Sequence, residues 1–245
     1  MNDFPEGMLD EISRFFRDVH PRLIPGNNLY PEIFETGTFF PLQRIGELAT
    51  MIQEARRVNP KVVMEIGADK GGSLYHWCQC LQPDVVIGCE IRGTPYRQLF
   101  QDAFPSIEFI WRERSSYDPS TVQSIKFALE GLGFQYIDVL FIDGDKRAFR
   151  QDFDAYRPLM NPAGVVFFHD VKDASLMRGD WLSCKEDGYR VREIVDLSDT
   201  HKSLELERLG HPCRNSHDQW LREWRGRSAG VGVVLMPDHP EHSDK

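Results

Sequence analysis

The chain has 245 residues, 41% of them hydrophobic and 27% charged, with a net charge of −9. That length fits one domain with an extension, and the acidic balance argues against a nucleic-acid binder, which needs a basic face. No apolar run approaches the roughly 20 residues of a membrane span.

The opening Met-Asn-Asp-Phe-Pro-Glu-Gly lacks the basic and apolar blocks of a signal peptide. Five cysteines, an odd count with no Cys-x-x-Cys pair, read as reduced thiols of a cytoplasmic protein. Met8, Leu9, Ile12, Phe15, Phe16 and Val19 recur at helical spacing, so residues 1–20 predict a helix closed by Pro21. Residues 21–41 are turn-rich and carry Tyr30, Phe34, Phe39 and Phe40. They read either as a loop pinned to the body or as a wall over a substrate pocket. Leu42 to Val58 predicts a second helix, ended by Asn59-Pro60. Residues 1–58 are thus expected to form an N-terminal helical extension or lid.

Residues 61–77 organise the rest of the chain. Val62, Val63 and Met64 make a short apolar run of the kind buried in a parallel sheet. Glu65, Gly67, Ala68, Asp69, Gly71 and Gly72 then form a turn, and Ser73 is placed to cap a helix beginning at Leu74. A helix start offers unpaired N–H groups and a positive dipole end. The spacing Glu-x-Gly-x-x-x-Gly-Gly is not the Gly-x-Gly-x-x-Gly that cradles a pyrophosphate. A carboxylate inside the turn repels phosphate and suits a ligand carrying an ammonium and hydroxyls, which also argues against NAD. This stretch resembles the first motif of the class I S-adenosylmethionine (SAM) methyltransferases. The resemblance implies a Rossmann-like α/β fold: a mostly parallel sheet with a last antiparallel strand and helices on both faces.

Val85 to Cys89 is a second buried strand ending in Glu90, an acid placed to accept hydrogen bonds from both ribose hydroxyls of a nucleoside. A helix over Tyr96–Phe104 and a strand over Ile107–Trp111 come next. Ser116 and Tyr117 then resemble the stretch that lies against the adenine in cation-dependent O-methyltransferases, although a plain turn fits these residues equally. Pro119 to Gly131 reads as helix.

Val139 to Ile142 predicts a central strand ending in Asp143, at the edge where open α/β sheets bind ligands. Pro162-Ala163-Gly164 reads as a turn, and Val165 to Phe168 as a fifth strand ending in His169-Asp170. Neighbouring strands lie roughly 5 Å apart, so Asp143, His169 and Asp170 can converge on one ion. Carboxylates with open water positions suit Mg²⁺, and a histidine admits other divalent cations. Metal-free capping roles for both acids are the alternative. Lys146 falls three residues after Asp143. That matches the acid-x-x-Lys of the catechol and caffeoyl-CoA enzymes, where the lysine takes the substrate proton, a role that calls for a lowered pKa. Those enzymes carry Asp-Asn at the next strand end, where this chain has His169-Asp170. The motifs Glu-Ile-Gly-Ala-Asp-Lys-Gly-Gly-Ser, Phe-Ile-Asp-Gly-Asp and Val-Val-Phe-Phe-His-Asp also resemble the macrocin, rhamnosyl and cephalosporin-tailoring O-methyltransferases, over residues 60–172.

Beyond residue 171, a helix over Asp180–Lys185, a strand over Tyr189–Val195, a polar loop over Ser198–Ser216 and a short helix around Trp220–Trp224 are expected. His201, His211 and His217 lack ligand spacing and read as surface residues. Gly230 to Met236 predicts the last strand, closing a SAM-binding domain over residues 59–237, with residues 238–245 as a disordered tail. The expected activity is cation-assisted methylation of a hydroxyl on a small molecule, such as a sugar or secondary metabolite. Asp143 and Lys146 are its catalytic residues, and a homo-oligomer is compatible with it. Metal-independent transfer to nitrogen or carbon, and a non-catalytic SAM-fold subunit of a tailoring system, are the competing readings.

Overall fold

The computed structural model describes residues 43, 45–94, 96–172, 175–194 and 230–239. The predictions for residues 1–41, for 198–224 and for 240–245 lie outside the described residues. No described helix is long and apolar enough to cross a membrane.

Strands β1 (Val62–Ile66), β2 (Val85–Cys89), β3 (Glu108–Arg112), β4 (Ile137–Ile142) and β5 (Met160–His169) run parallel. β7 (Val231–Leu235) lies antiparallel between β5 and β6 (Arg190–Ile194). The order is β3-β2-β1-β4-β5-β7-β6, as the mostly parallel prediction requires. The chain's direction of travel across the sheet reverses between β1 and β4. A crevice opens outside the carboxyl ends of the strands at such a switch point.

Strand residues alternate between two apolar layers because successive side chains point to opposite faces. Val63, Val86, Val139, Phe141 and Phe167 face one layer, with α1 (Ile45–Arg57), α2 (Gly72–Leu81) and α3 (Arg97–Ala103). Met64, Ile87, Leu140, Ile142 and Phe168 face the other, with α4 (Pro119–Gly131), α5 (Phe149–Tyr156) and α6 (Ser175–Glu186). Trp77 of α2 is fully buried, stacked on Phe167 at 6.0 Å and edge-on to Phe141 at 5.9 Å. Burying one such side chain is worth about 1.5–3 kcal/mol. The indole thus clamps the two strands whose ends carry Asp143 and His169.

Three local expectations are corrected. Pro162-Ala163-Gly164 lies inside β5, where the register with β4 shifts between Ile137 and Val139. Asn161 holds this irregular segment, donating to Asp138 Oδ1 at 2.6 Å and accepting from Ala163 N at 3.0 Å. Ser73 does not cap a helix: α2 already begins at Gly72, with Gly71 at its N-cap. Asp238 and His239, placed in the disordered tail, are ordered. Their backbone N–H groups donate to Pro162 O (2.7 Å) and Met236 O (3.0 Å), and His239 is buried.

Candidate active site

The glycine turn is shaped first by the protein's own backbone. Gly67 has φ +84°, and a Cβ there would come within 2.5 Å of the Asp143 carbonyl oxygen. Gly71 has φ +89°, and a Cβ would meet the Phe100 ring at 2.5 Å. Both conformations favour glycine. Gly67 N donates to Cys89 O at 2.8 Å and Asp143 N to Ile66 O at 2.8 Å, so the ends of β1, β2 and β4 are stitched together.

Glu65 sits on β1 and is fully buried. The Ser73 hydroxyl donates to its Oε1, while Oε2 has no hydrogen-bond partner among the described residues. Burial pushes the Glu65 carboxyl up to about 8, against the Ser73 bond, and the nearby Asp143 charge adds to the rise. A buried acid with no cation beside it among the described residues fits a ligand ammonium.

Glu90, at the end of β2, accepts from Asp69 N at 3.1 Å and Arg92 N at 3.0 Å. A carboxylate has about four acceptor positions, so room is left for two hydroxyls. Asp69 reaches Glu90 with φ +43°, and Ala68 is buried beneath the turn.

Ser116 and Tyr117 separate. The Ser116 hydroxyl donates to Asp152 Oδ1 of α5 at 2.5 Å, and its carbonyl accepts from Tyr156 at 2.7 Å. Tyr117 is exposed. Asp152, which the sequence reading did not single out, is fully buried, and burial pushes its carboxyl up to about 7 against the Ser116 bond. Its acidic side chain on a helix carries no spacing signal.

At the ends of β4 and β5 the predicted residues do meet. One ligand atom each from Asp143, His169 and Asp170 lies within 4.8 Å of the others. His169 Nδ1 is 3.0 Å from Asp143 Oδ1 and 3.4 Å from Asp170 Oδ1. Lys146 Nζ pairs with Asp143 and lies 2.7 Å from Asp170 Oδ2. Asp170 has φ +60°, a left-handed conformation that aspartate tolerates better than most residues. Gln43, from just ahead of α1, donates its Nε2 to Asp143 Oδ2 at 2.8 Å. Sequence reading missed Gln43, because a lone amide 100 residues from its partner leaves no pattern.

Burial alone would raise Asp143, but His169 and Lys146 outweigh it and hold the carboxyl at about 2. Burial opposes the charged form of Lys146, yet Asp143 and Asp170 hold its ammonium above its ordinary pKa. The lowered pKa expected of a base is therefore not met in this arrangement. His169 is raised in the same way: burial lowers it and Asp143 and Asp170 more than compensate. The donor set, two carboxylates and an imidazole, fits a divalent cation. Such a cation would compete with the Lys146 ammonium for Asp143 and Asp170.

Residues 64–171 match a family model described as a methyltransferase domain. Among solved structures, the chain is similar to the O-methyltransferase from Bacillus cereus in complex with S-adenosylhomocysteine (SAH). The TM-score is 0.51 at 13% identity, over 96% of this chain and 93% of that one. It is also similar to SAH-bound Podospora anserina methyltransferase PaMTH1 (TM-score 0.52, 15% identity, 96% and 98% coverage). Cofactor-bound Rv0187 from MTB is a third (0.53, 15%, 91% and 98%). At these identities the likeness is one of fold. No curated protein matches the chain significantly in sequence. The switch point between β1 and β4 carries the buried Glu65, and the family match covers that same stretch. Residues 64–171 thus match a methyltransferase domain, and they lie in a sheet with the strand order of a Rossmann-like methyltransferase fold.

Proposed function

We propose that the chain methylates a hydroxyl of a small molecule, a sugar or secondary metabolite, with help from a divalent cation. The observation that carries this reading is the meeting of Asp143, His169 and Asp170 beside the glycine turn that follows β1 and its Glu65. Glu65 takes the SAM ammonium, Glu90 takes the ribose hydroxyls, and residues Gly67 to Ser73 form the floor. Ser116 and Tyr117 border the adenine, Ser116 through its backbone because its hydroxyl is engaged by Asp152.

SAM, when bound, supplies a methyl already activated by its sulfonium. A cation held by Asp143, His169 and Asp170 would acidify the acceptor hydroxyl and fix its orientation. The chain's own part is to bring that oxygen into line with the methyl, roughly 3 Å away, and to take its proton. A cation held by the two carboxylates would weaken the attraction that keeps Lys146 protonated and would add a positive charge nearby. Both changes lower its pKa toward that of a base. The test is methyl transfer to a panel of hydroxylated acceptors with Mg²⁺ or Mn²⁺ and with EDTA. Activity that needs the cation and disappears in Asp143→Ala supports the reading; full activity in EDTA overturns it.

A second reading rests on His169. Its Nδ1 is oriented by Asp143, and its Nε2 is buried with no partner among the described residues. A histidine fixed by a carboxylate on one side and open on the other is the arrangement of a general base. In that case Lys146 is the permanent cation and no metal takes part. Turnover that survives EDTA but not His169→Gln selects it. SAM binding with no turnover on any acceptor points to a non-catalytic subunit.

A further inference from the structure

We propose that Gln43 belongs to the reaction centre as a positioning residue for Asp143. Its side-chain nitrogen orients the Asp143 carboxylate, and its side-chain oxygen is left to accept from a ligand donor at that centre. This rests on the cation-assisted reading above.

Gln43 is only 3% exposed. Its Nε2 is fixed as the donor, since the Asp143 carboxylate 2.8 Å away can only accept. That leaves Oε1 as an acceptor with no partner among the described residues. A buried amide oxygen left without a donor is unfavourable, and a ligand donor relieves it. Asp143 Oδ1 is turned to Lys146 and His169, while Gln43 holds Oδ2. The carboxylate is thus pinned from both sides, with one oxygen left facing the cluster. The helix behind Gln43 is anchored at the same end of the sheet: Glu47 of α1 accepts from Gly230 N at 3.0 Å, and Val171 N donates to Gly230 O at 3.3 Å. Gln43 is therefore tied to the segment that follows His169-Asp170.

Partners that orient a metal-binding carboxylate typically change metal affinity by 10–100-fold when removed. The test is Mn²⁺ binding, read by calorimetry and by the Mn²⁺ electron paramagnetic resonance signal, in the wild-type chain and in Gln43→Met. Methionine keeps the length and fills the space without donor or acceptor. SAH binding, measured alongside, reports that the nucleoside side is intact. We expect Mn²⁺ affinity to fall about 10–100-fold with SAH affinity unchanged. Mn²⁺ affinity within twofold of wild type overturns the inference and leaves the cation reading standing. Loss of SAH binding and of thermal stability together also overturns it, because the role is then only structural. Absence of Mn²⁺ binding in the wild type overturns the cation reading and this inference with it.

Discussion

Two acids stand on neighbouring strands of the same sheet edge and are driven in opposite directions. Glu65, on β1, has a hydroxyl and no cation, and its carboxyl rises to about 8. Asp143, just past β4, is half-buried but faces Lys146 and His169 and falls to about 2. Burial acts upward on both, so the difference comes from the partners the chain itself supplies. One half of the crevice is built with a missing positive charge, which suits a ligand that brings an ammonium. The other half is already neutralised and admits a cation only by exchange.

The largest effect that can break this contrast is at Asp143. Asp143→Ala should lower methyl transfer by about 10²–10³-fold, the range seen when one preorganised electrostatic group is lost. The melting shift given by SAH should stay within about twofold of wild type, since burial dominates the Glu65 shift and the Asp143 charge only adds to it. Equal loss of both measurements would show that the halves are not separable.

Glu65→Gln should weaken SAH binding about 10–100-fold, the worth of a hydrogen bond to a charged group. The pH dependence has a definite sign. Glu65 must lose its proton to pair with the ammonium, so wild-type affinity for SAH should climb between pH 6 and pH 8 and then level, while the variant stays flat. Stability of the ligand-free protein runs the other way. The raised pKa means the folded state keeps its proton longer, so stability is full below about pH 4.5 and declines up to about pH 8. Glu65→Gln should therefore melt higher than wild type at pH 8, by about 2–4 °C for each kcal/mol relieved. An unchanged melting temperature across pH 5–8 would contradict the missing-charge picture.

Lys146→Met sharpens the other half. Removing the ammonium between Asp143 and Asp170 should tighten Mn²⁺ binding about tenfold, equivalent to about 1.4 kcal/mol, whatever it does to turnover. The smallest effect is expected from Ser73→Ala. It removes the donor that keeps Glu65 from rising further, and should lower SAH affinity at pH 7 about twofold to fivefold, roughly 0.4–1 kcal/mol of hydrogen bonding.

Much of this was legible in the sequence because strand ends announce themselves. An apolar run that stops at an acid placed Glu90, Asp143 and His169-Asp170 along one edge, and the glycine spacing marked the turn, although Glu65 lies in β1 just before it. Two kinds of information were not legible. Local chemistry has several equivalent uses: Ser73 could cap a helix or serve a neighbouring acid, and in the fold it lies inside α2 and donates to Glu65. Long-range polar pairs leave no period at all, so Gln43 against Asp143 and Ser116 against Asp152 were invisible until the chain was folded. The irregular start of β5 has the same cause. Asn161 reaches back to Asp138 across 23 residues and keeps Pro162-Ala163-Gly164 within the strand.

The placing of β7 between β5 and β6 has a consequence for how the molecule is made. β5, which carries His169 at its end, has β4 on one side from an early stage, but its other side is filled only by residues 231–235. During synthesis the completed β1–β5 unit therefore waits, with a bare ladder of amides and carbonyls along β5, until more than sixty further residues have left the ribosome. A chain halted before residue 231 would have every acid of the crevice and an unsealed flank open to pairing with another nascent chain.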